Sequence, residues 1–277
     1  MTYYIKYPTQ QTDPPRPPWE TLPTMYDLPS ENPEEPGLPD EFHDFQPQLL
    51  SATLRLKEYA ADKIFTATDM NLYYDVHHQL WYKRPDWFLV LGVPRLYKGT
   101  DLRLSYVIWQ EGISPFVVVE LLSPGTEKED LGMLPDLKEP DLRAPDRLGD
   151  RPPKKWQVYE QILRIPYYVV FDRYTDRFRV FHLTSGRYQE LDLSNNRFWF
   201  PDLNLGLGVW QGIYEGCERL WLRWFDENDE WIPTPEERAE AAENALVHEQ
   251  QQTLNERQRA DRLAEKLRAL GIDPESE

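Results

Sequence analysis

The stretch Phe116-Val117-Val118-Val119-Glu120-Leu121-Leu122-Ser123-Pro124 constrains this chain more than any other. Valines crowd its first half and a proline closes it, so it reads as a short strand. A strand sends successive side chains to opposite faces, and here both faces are apolar, as in a strand covered by other layers on both sides. Such a strand belongs at the centre of an α/β sheet. Glu120 is the exception within the run. A carboxylate among apolar neighbours is costly unless it is paired or holds a metal, so Glu120 is a candidate functional residue.

A second apolar run, Tyr167 to Phe171, reads as another buried strand. Between the two, residues 154–164 carry Trp156, Tyr159, Ile162 and Leu163 at helical spacing, so one side of a helix is expected there. Strand, helix and parallel return strand predict an α/β core with a mixed central sheet. Upstream, Trp87 to Leu91 and Ser105 to Trp109 are expected to add strands. Asp86 opens the first of these, and Lys155 opens the helix. Two carboxylates and a lysine held on two strands and a helix suit a Mg²⁺ or Mn²⁺ site for cutting a phosphodiester. Asp86 and Glu120 are the expected metal ligands. Lys155 is the expected third catalytic group; it would orient or deprotonate the attacking water, or stabilise transition-state charge.

The rest of the chain is expected to frame that core. Residues 1–45 are punctuated by Pro14-Pro15, Pro17-Pro18, Pro29, Pro33, Pro36 and Pro39, which forbid a continuing helix or a central strand. They read as an extended arm anchored by Trp19, Tyr26 and Phe42. Leu49 to Leu56 fits a short helix or a strand. Thr66 to Tyr74 leads into a turn at Asp75-Val76-His77-His78. Glu127 to Lys154 reads as a loop over one end of the sheet. Arg177 to Leu183 and Tyr188 to Leu193 flank Gly186 like a hairpin. Phe198 to Trp210 and Trp221 to Phe225 add a β-rich extension. Thr234-Pro235-Glu236-Glu237 is a helix start, with threonine as cap and proline in the first turn. That helix is expected to run to about Leu270, with Gly271 as its stop. Its alanines and leucines follow an approximate 3-4 spacing broken by Glu249 and Glu256, the pattern of a weak coiled coil. A homo-oligomer through this tail is one expectation.

Charge and composition bound the partners. The net charge is -17, which is unfavourable for nucleic acid. Its distribution matters more: residues 1–50 hold 2 Lys/Arg against 9 Asp/Glu, and residues 235–277 hold 6 against 11. Over two thirds of the excess therefore lies in the tails, and a carboxylate cluster for a cation accounts for part of the remainder. The single cysteine, Cys217, excludes a disulfide framework within one chain and fits a cytoplasmic location. No stretch approaches the ~20 apolar residues of a membrane-spanning helix, and the first residues do not read as a signal peptide.

As a set, four pieces carry a resemblance. They are Arg84-Pro85-Asp86, the run Val119-Glu120-Leu121-Leu122-Ser123-Pro124-Gly125-Thr126, Lys155 with Tyr159, and Ile165-Pro166-Tyr167-Tyr168-Val169-Val170-Phe171-Asp172. The chain resembles the Uma2 family of endonucleases, in its long cyanobacterial-type form, and that family resembles a branch of the PD-(D/E)xK superfamily. The likeness covers most of residues 25–277. It implies a restriction-endonuclease-like fold over residues 46–233, a helical tail over 234–277, and Mg²⁺-dependent hydrolysis of DNA. It also implies that a backbone carbonyl of Leu121 or Leu122 adds a ligand. Two departures stand out. The lysine normally found two residues after the second acid is replaced by Leu122, and Lys155 is the family's usual substitute. The glutamate that many relatives carry on an N-terminal helix has no clear equivalent, Glu58 being a poor match.

Other residues read more plainly. Tyr159 is expected in the core, Asp172 at a turn, and Ser123 to Thr126 in the turn leaving the active strand. His77 and His78 as strand neighbours would point to opposite faces and would not share an ion. The tryptophans at 199, 210, 221, 224 and 231 are expected to be buried and not to stack on bases. The competing function is a non-catalytic protein that keeps the nuclease fold and assembles through its arm and tail.

Overall fold

The run of valines around Glu120 forms a strand buried along its whole length, and the rest of the domain is arranged on its two faces. The computed structural model describes residues 16–24, 27–28, 41–122, 130–131 and 152–269. In chain order the strands are β1 (Ile64–Thr68), β2 (Leu72–Tyr73), β3 (Tyr82–Lys83), β4 (Trp87–Leu91), β5 (Tyr106–Val107) and β6 (Val117–Leu122). They continue with β7 (Tyr167–Asp172), β8 (Arg177–Thr184), β9 (Arg187–Glu190), β10 (Arg197–Phe200), β11 (Leu205–Tyr214) and β12 (Cys217–Phe225).

The main sheet has six strands in the order β1-β4-β6-β7-β8-β9. Only β6 and β7 run parallel, with Glu120 beside Val170; the other pairs are antiparallel. The parallel pair follows from the intervening helix, because a parallel return needs a long crossover. The fold is therefore the mixed α/β architecture that the sequence predicts, consistent with a restriction-endonuclease-like core.

Alternation along the strands divides the core in two. Trp87, Leu89, Val117, Val119, Leu121, Val169 and Phe171 point to one face. They pack against the Glu41–Thr53 helix and the β10-β11-β12 sheet through Leu49, Leu50, Phe200, Trp221 and Trp224. Phe88, Val90, Val118, Leu122, Tyr168 and Val170 point to the other face, where they meet Val158, Tyr159 and Leu163. The Glu41–Thr53 helix is tied down by polar groups as well. The Gln46 amide donates to the Leu222 carbonyl at 2.8 Å and accepts from the Leu222 amide at 2.7 Å, so one side chain continues the pairing pattern of β12. Trp224 Nε1 donates to the Leu50 carbonyl.

Several expectations change. Ser105 to Trp109 is not one strand: β5 ends at Val107 and a helical turn covers Ile108–Glu111, closed by Gly112 at φ 74. Trp109 and Gln110 are held there by the carbonyls of Pro23 and Pro18, which draws the chain out of strand geometry. Phe198 to Trp210 belongs to the β-rich extension as expected, as two strands, because Asn204 turns the chain with φ 48 between β10 and β11. The helix opens at Lys155–Gln157 and passes into a π-helical turn at Val158–Ile162. The wider winding carries Ile162 outward, where it is 44% exposed, and keeps Leu163 buried. His77 and His78 lie in the turn expected at residues 75–78, so strand alternation does not govern them; His78 Nδ1 lies 2.7 Å from Asp75 Oδ2 and its ring stacks on Trp81. Phe42 is buried as an anchor, but in the first turn of the Glu41–Thr53 helix, which thus begins inside the expected arm. The Trp19 side chain, Tyr26, Ser123 to Thr126 and most of the 127–154 loop lie outside the described residues.

The second unit begins at Pro233. Its helix spans Pro235–Ala269 with no buried residue. Thr234 and Glu237 form a reciprocal cap: Glu237 N–H donates to Thr234 Oγ1 at 3.2 Å, and Thr234 N–H donates to Glu237 Oε2 at 2.8 Å. Among the described residues, no helix is long and apolar enough to cross a membrane.

Candidate active site

Register brings the two carboxylates together. In the antiparallel β4–β6 pair, Trp87 lies opposite Val119, and continuing by one residue sets Asp86 opposite Glu120. Both share the face of Phe88, Val90, Val118 and Leu122, so they point toward the Lys155 helix. Asp86 Oδ2 accepts the Leu121 backbone N–H at 2.6 Å, which pins this carboxylate against β6.

Glu120 is fully buried. Lys155 Nζ donates to its Oε2 at 2.9 Å and the Tyr159 hydroxyl donates to its Oε1 at 2.7 Å. Lys155 and Tyr159 are four residues apart, the spacing that places two side chains on one side of a helix. The helix thus holds both oxygens of Glu120. Lys155 also pairs with Asp130 Oδ1 at 3.1 Å, and Asp130 is nearly inaccessible. The Tyr168 hydroxyl donates to the Asp130 carbonyl at 2.8 Å and fixes that residue against β7. On the far side of β6, the Nε2 of the buried His43 lies 3.0 Å from the Leu121 carbonyl oxygen.

The electrostatics follow from this crowding. Burial pushes the Glu120 carboxyl well above the usual carboxylate range; Asp130 and Asp86 add to the rise and Lys155 opposes it. Burial also raises Asp86, against the Lys155 charge and the Leu121 amide. Burial alone would lower the Lys155 ammonium, but Glu120, Asp130 and Asp86 together hold it well above its ordinary value. Burial and the adjacent Glu120 raise Tyr159. Burial and mutual repulsion thus disfavour the charged forms of Glu120 and Asp86, and the Lys155 ammonium offsets that cost only in part.

Among the described residues, no three His, Cys, Asp or Glu side chains converge as a metal-holding group. Asp86 and Glu120 therefore offer two carboxylates, both hard oxygen donors. This fits Mg²⁺, which keeps much of its shell for water and substrate phosphate and takes one or two protein carboxylates. The Leu121 carbonyl, one of the two that the resemblance implies as a further ligand beside Leu122, lies 3.0 Å from His43 Nε2.

Asp86, Glu120 and Lys155 are thus brought together as the sequence led us to expect. Tyr159 is in the core, as expected, but also touches Glu120; the signal for that was its spacing from Lys155. Asp130 and His43 were missed. Asp130 sits in a stretch without periodicity, and nothing in the pattern marks His43 as facing β6. Glu58 is exposed. Asp172 caps its turn, accepting from the Tyr174 and Thr175 amides. Trp221 and Trp224 are buried, whereas Trp210 and Trp231 lie under Arg223 and Arg197.

No curated protein matches this chain. Residues 18–213 match the family described as "Uma2: Putative restriction endonuclease".

Proposed function

The chain belongs to the Uma2 family, and from that premise and the site geometry we propose that it is an endonuclease hydrolysing DNA phosphodiester bonds with Mg²⁺ or Mn²⁺. The observation that carries this reading is Glu120, a carboxylate with no solvent exposure on the central strand, set opposite Asp86 and held by Lys155. A buried ion pair of this kind is a poor stabiliser compared with apolar packing. Its place at the end of the only parallel pair of the sheet suits a site better than a scaffold.

Asp86 and Glu120 would hold the cation. When bound, the ion supplies charge neutralisation at the phosphate and acidifies water. Lys155, held protonated by its carboxylates, is suited to stabilise charge that develops on the phosphate and not to accept a proton. Asp130 and Tyr159 position Lys155 and Glu120. His43 ties the Glu41–Thr53 helix to the strand that bears Glu120.

The domain would extend from about residue 46 to 233. The helix of residues 235–269, with no buried residue, would serve as a homo-oligomerisation element, and the protein would act in the cytoplasm.

The test is calorimetric titration of wild type and Glu120→Gln with Mg²⁺ and Mn²⁺, followed by nicking of supercoiled DNA. We expect wild type to bind the ion and nick, and Glu120→Gln to do neither. Ion-independent nicking, or equal nicking by both proteins, would overturn the assignment. Absence of ion binding by wild type would favour a non-catalytic interaction protein that assembles through its C-terminal helix.

A further inference from the structure

The charge of the Pro235–Ala269 helix is divided along its length. Residues 235–249 hold one Lys/Arg against five Asp/Glu, whereas residues 250–269 hold five against three. The first part is thus net negative and the second net positive. None of the 35 residues is buried, and Leu246, Val247, Leu254 and Leu263 are each half exposed or more. A helix gains most of its stability from packing an apolar stripe against something else.

The middle of that stripe indicates what covers it. Leu246, Glu249, Thr253, Glu256, Ala260 and Leu263 follow one another at steps of 3, 4, 3, 4 and 3, the seam of a coiled coil. A shallow groove runs along this side of the helix from Leu246 to Arg257.

In a parallel pair each seam residue meets its own counterpart. Glu249 would face Glu249 and Glu256 would face Glu256, with the two acidic parts side by side. Like charges would then repel at two layers and along the flanks. In an antiparallel pair the same six positions read as a palindrome. Leu246 faces Leu263 of the second copy, Glu249 faces Ala260, and Thr253 faces Glu256. Leucine meets leucine at both ends of the seam, and no two acids share a layer. The net-negative part of each helix lies along the net-positive part of the other. Glu249 in particular enters the stretch that holds Arg257 and Arg259.

Taking this helix as the self-association element of the proposed function, we propose that its occupant is a second copy of the same helix, running antiparallel, with Leu246 of one copy against Leu263 of the other. Opposite charge along the two helices sets the direction, and the leucines set the register.

Full-length chains carrying Cys217→Ser, which removes the one native thiol, read the orientation. Leu246 and Leu263 are 17 positions apart, about 25 Å along a helix that rises about 1.5 Å per residue. Leu246→Cys alone and Leu263→Cys alone should therefore not cross-link to themselves under mild oxidation. An equimolar mixture of the two should give a disulfide-linked dimer. Spin labels supply a second readout that leaves the seam intact. Labels on Glu240→Cys should lie about 40 Å apart or more between copies, and labels on Asn255→Cys much closer. Self-cross-linking of each single variant, or equal distances at the two labelled positions, would overturn the antiparallel pair and leave self-association standing. A chain that sediments as a dimer but cross-links neither singly nor in the mixture would overturn the seam as the interface. A monomer mass for the full chain would overturn the self-association reading together with its orientation.

Discussion

The Tyr159 hydroxyl donates to Glu120 at 2.7 Å inside the core, so a residue that sequence pattern assigns to packing also holds the buried carboxylate. Tyr159→Phe keeps the ring and deletes one donor to an acid that has no access to water. A hydrogen bond to a charged group is worth about 2 kcal/mol, and we expect a loss of that order in urea unfolding. Nicking should fall about tenfold, in line with roughly 1.4 kcal/mol of misplacement. An unchanged unfolding midpoint would remove Tyr159 from the site.

Lys155→Met takes the ammonium away from Glu120 and Asp130, which it meets at 2.9 Å and 3.1 Å. Breaking a buried pair from one side costs about 3–5 kcal/mol, and the metal-free protein should lose stability on that scale. Mg²⁺ should restore part of it, because a cation held by Asp86 and Glu120 replaces part of the lost charge, while nicking stays absent. A thermal melt with and without Mg²⁺ reads both effects; a variant as stable as wild type without metal would contradict the arrangement.

Asp130→Asn leaves Lys155 paired with Glu120, so the ammonium loses one of the two anchors it has among the described residues. Nicking should drop while Mg²⁺ affinity, read by calorimetry, changes little, and Asp130→Glu should recover part of the activity. A fall in ion affinity matching that of Glu120→Gln would make Asp130 a ligand and not a positioning residue.

Gln46→Leu fills a similar volume but strands the Leu222 amide and carbonyl, both met by Gln46 in the wild type. Two orphaned buried groups cost about 3 kcal/mol together. The same helix carries His43, so labelling or exchange of the Leu121 region should rise as well. Retention of wild-type stability would show that the strand-like clamp carries no weight.

Glu160 offers a pH test outside the site. Burial alone would raise its carboxyl, but the Tyr188 amide, Gln161 and Arg187 outweigh that and hold it below the usual range. A carboxyl lowered on folding contributes stability that is fully present above its unfolded value of about 4.3 and is lost as pH falls through the folded value. Glu160→Gln should therefore be less stable than wild type near neutrality and lose less of its stability on acidification. Parallel stability curves for the two proteins across the acid range would contradict this sign.

Local pattern accounts for a large share of this protein. The doubly apolar run around Glu120, the second run at Tyr167, the intervening helix and the proline-started helix at Thr234 were all legible, because periodicity and capping act over a few residues. Asp86, Glu120 and Lys155 could be selected from the chain on the cost of burying charge and on family likeness. The strand alternation even implied that an acid at 120 and one opening β4 would share a face once the register was known.

That register, and everything that depends on it, came from the tertiary structure. It set Asp86 opposite Glu120, brought Asp130 onto Lys155 from a stretch with no pattern, and aimed His43 and Gln46 at strands many residues away. It also drew Trp109 out of a strand and gathered Arg173 and Arg219 over Phe42. The physical reason is common to all of these. Hydrophobic periodicity fixes which face of an element is buried, whereas contacts between polar side chains depend on how distant elements slide and turn against each other. That choice is made by packing and by the demand that every buried donor and acceptor find a partner.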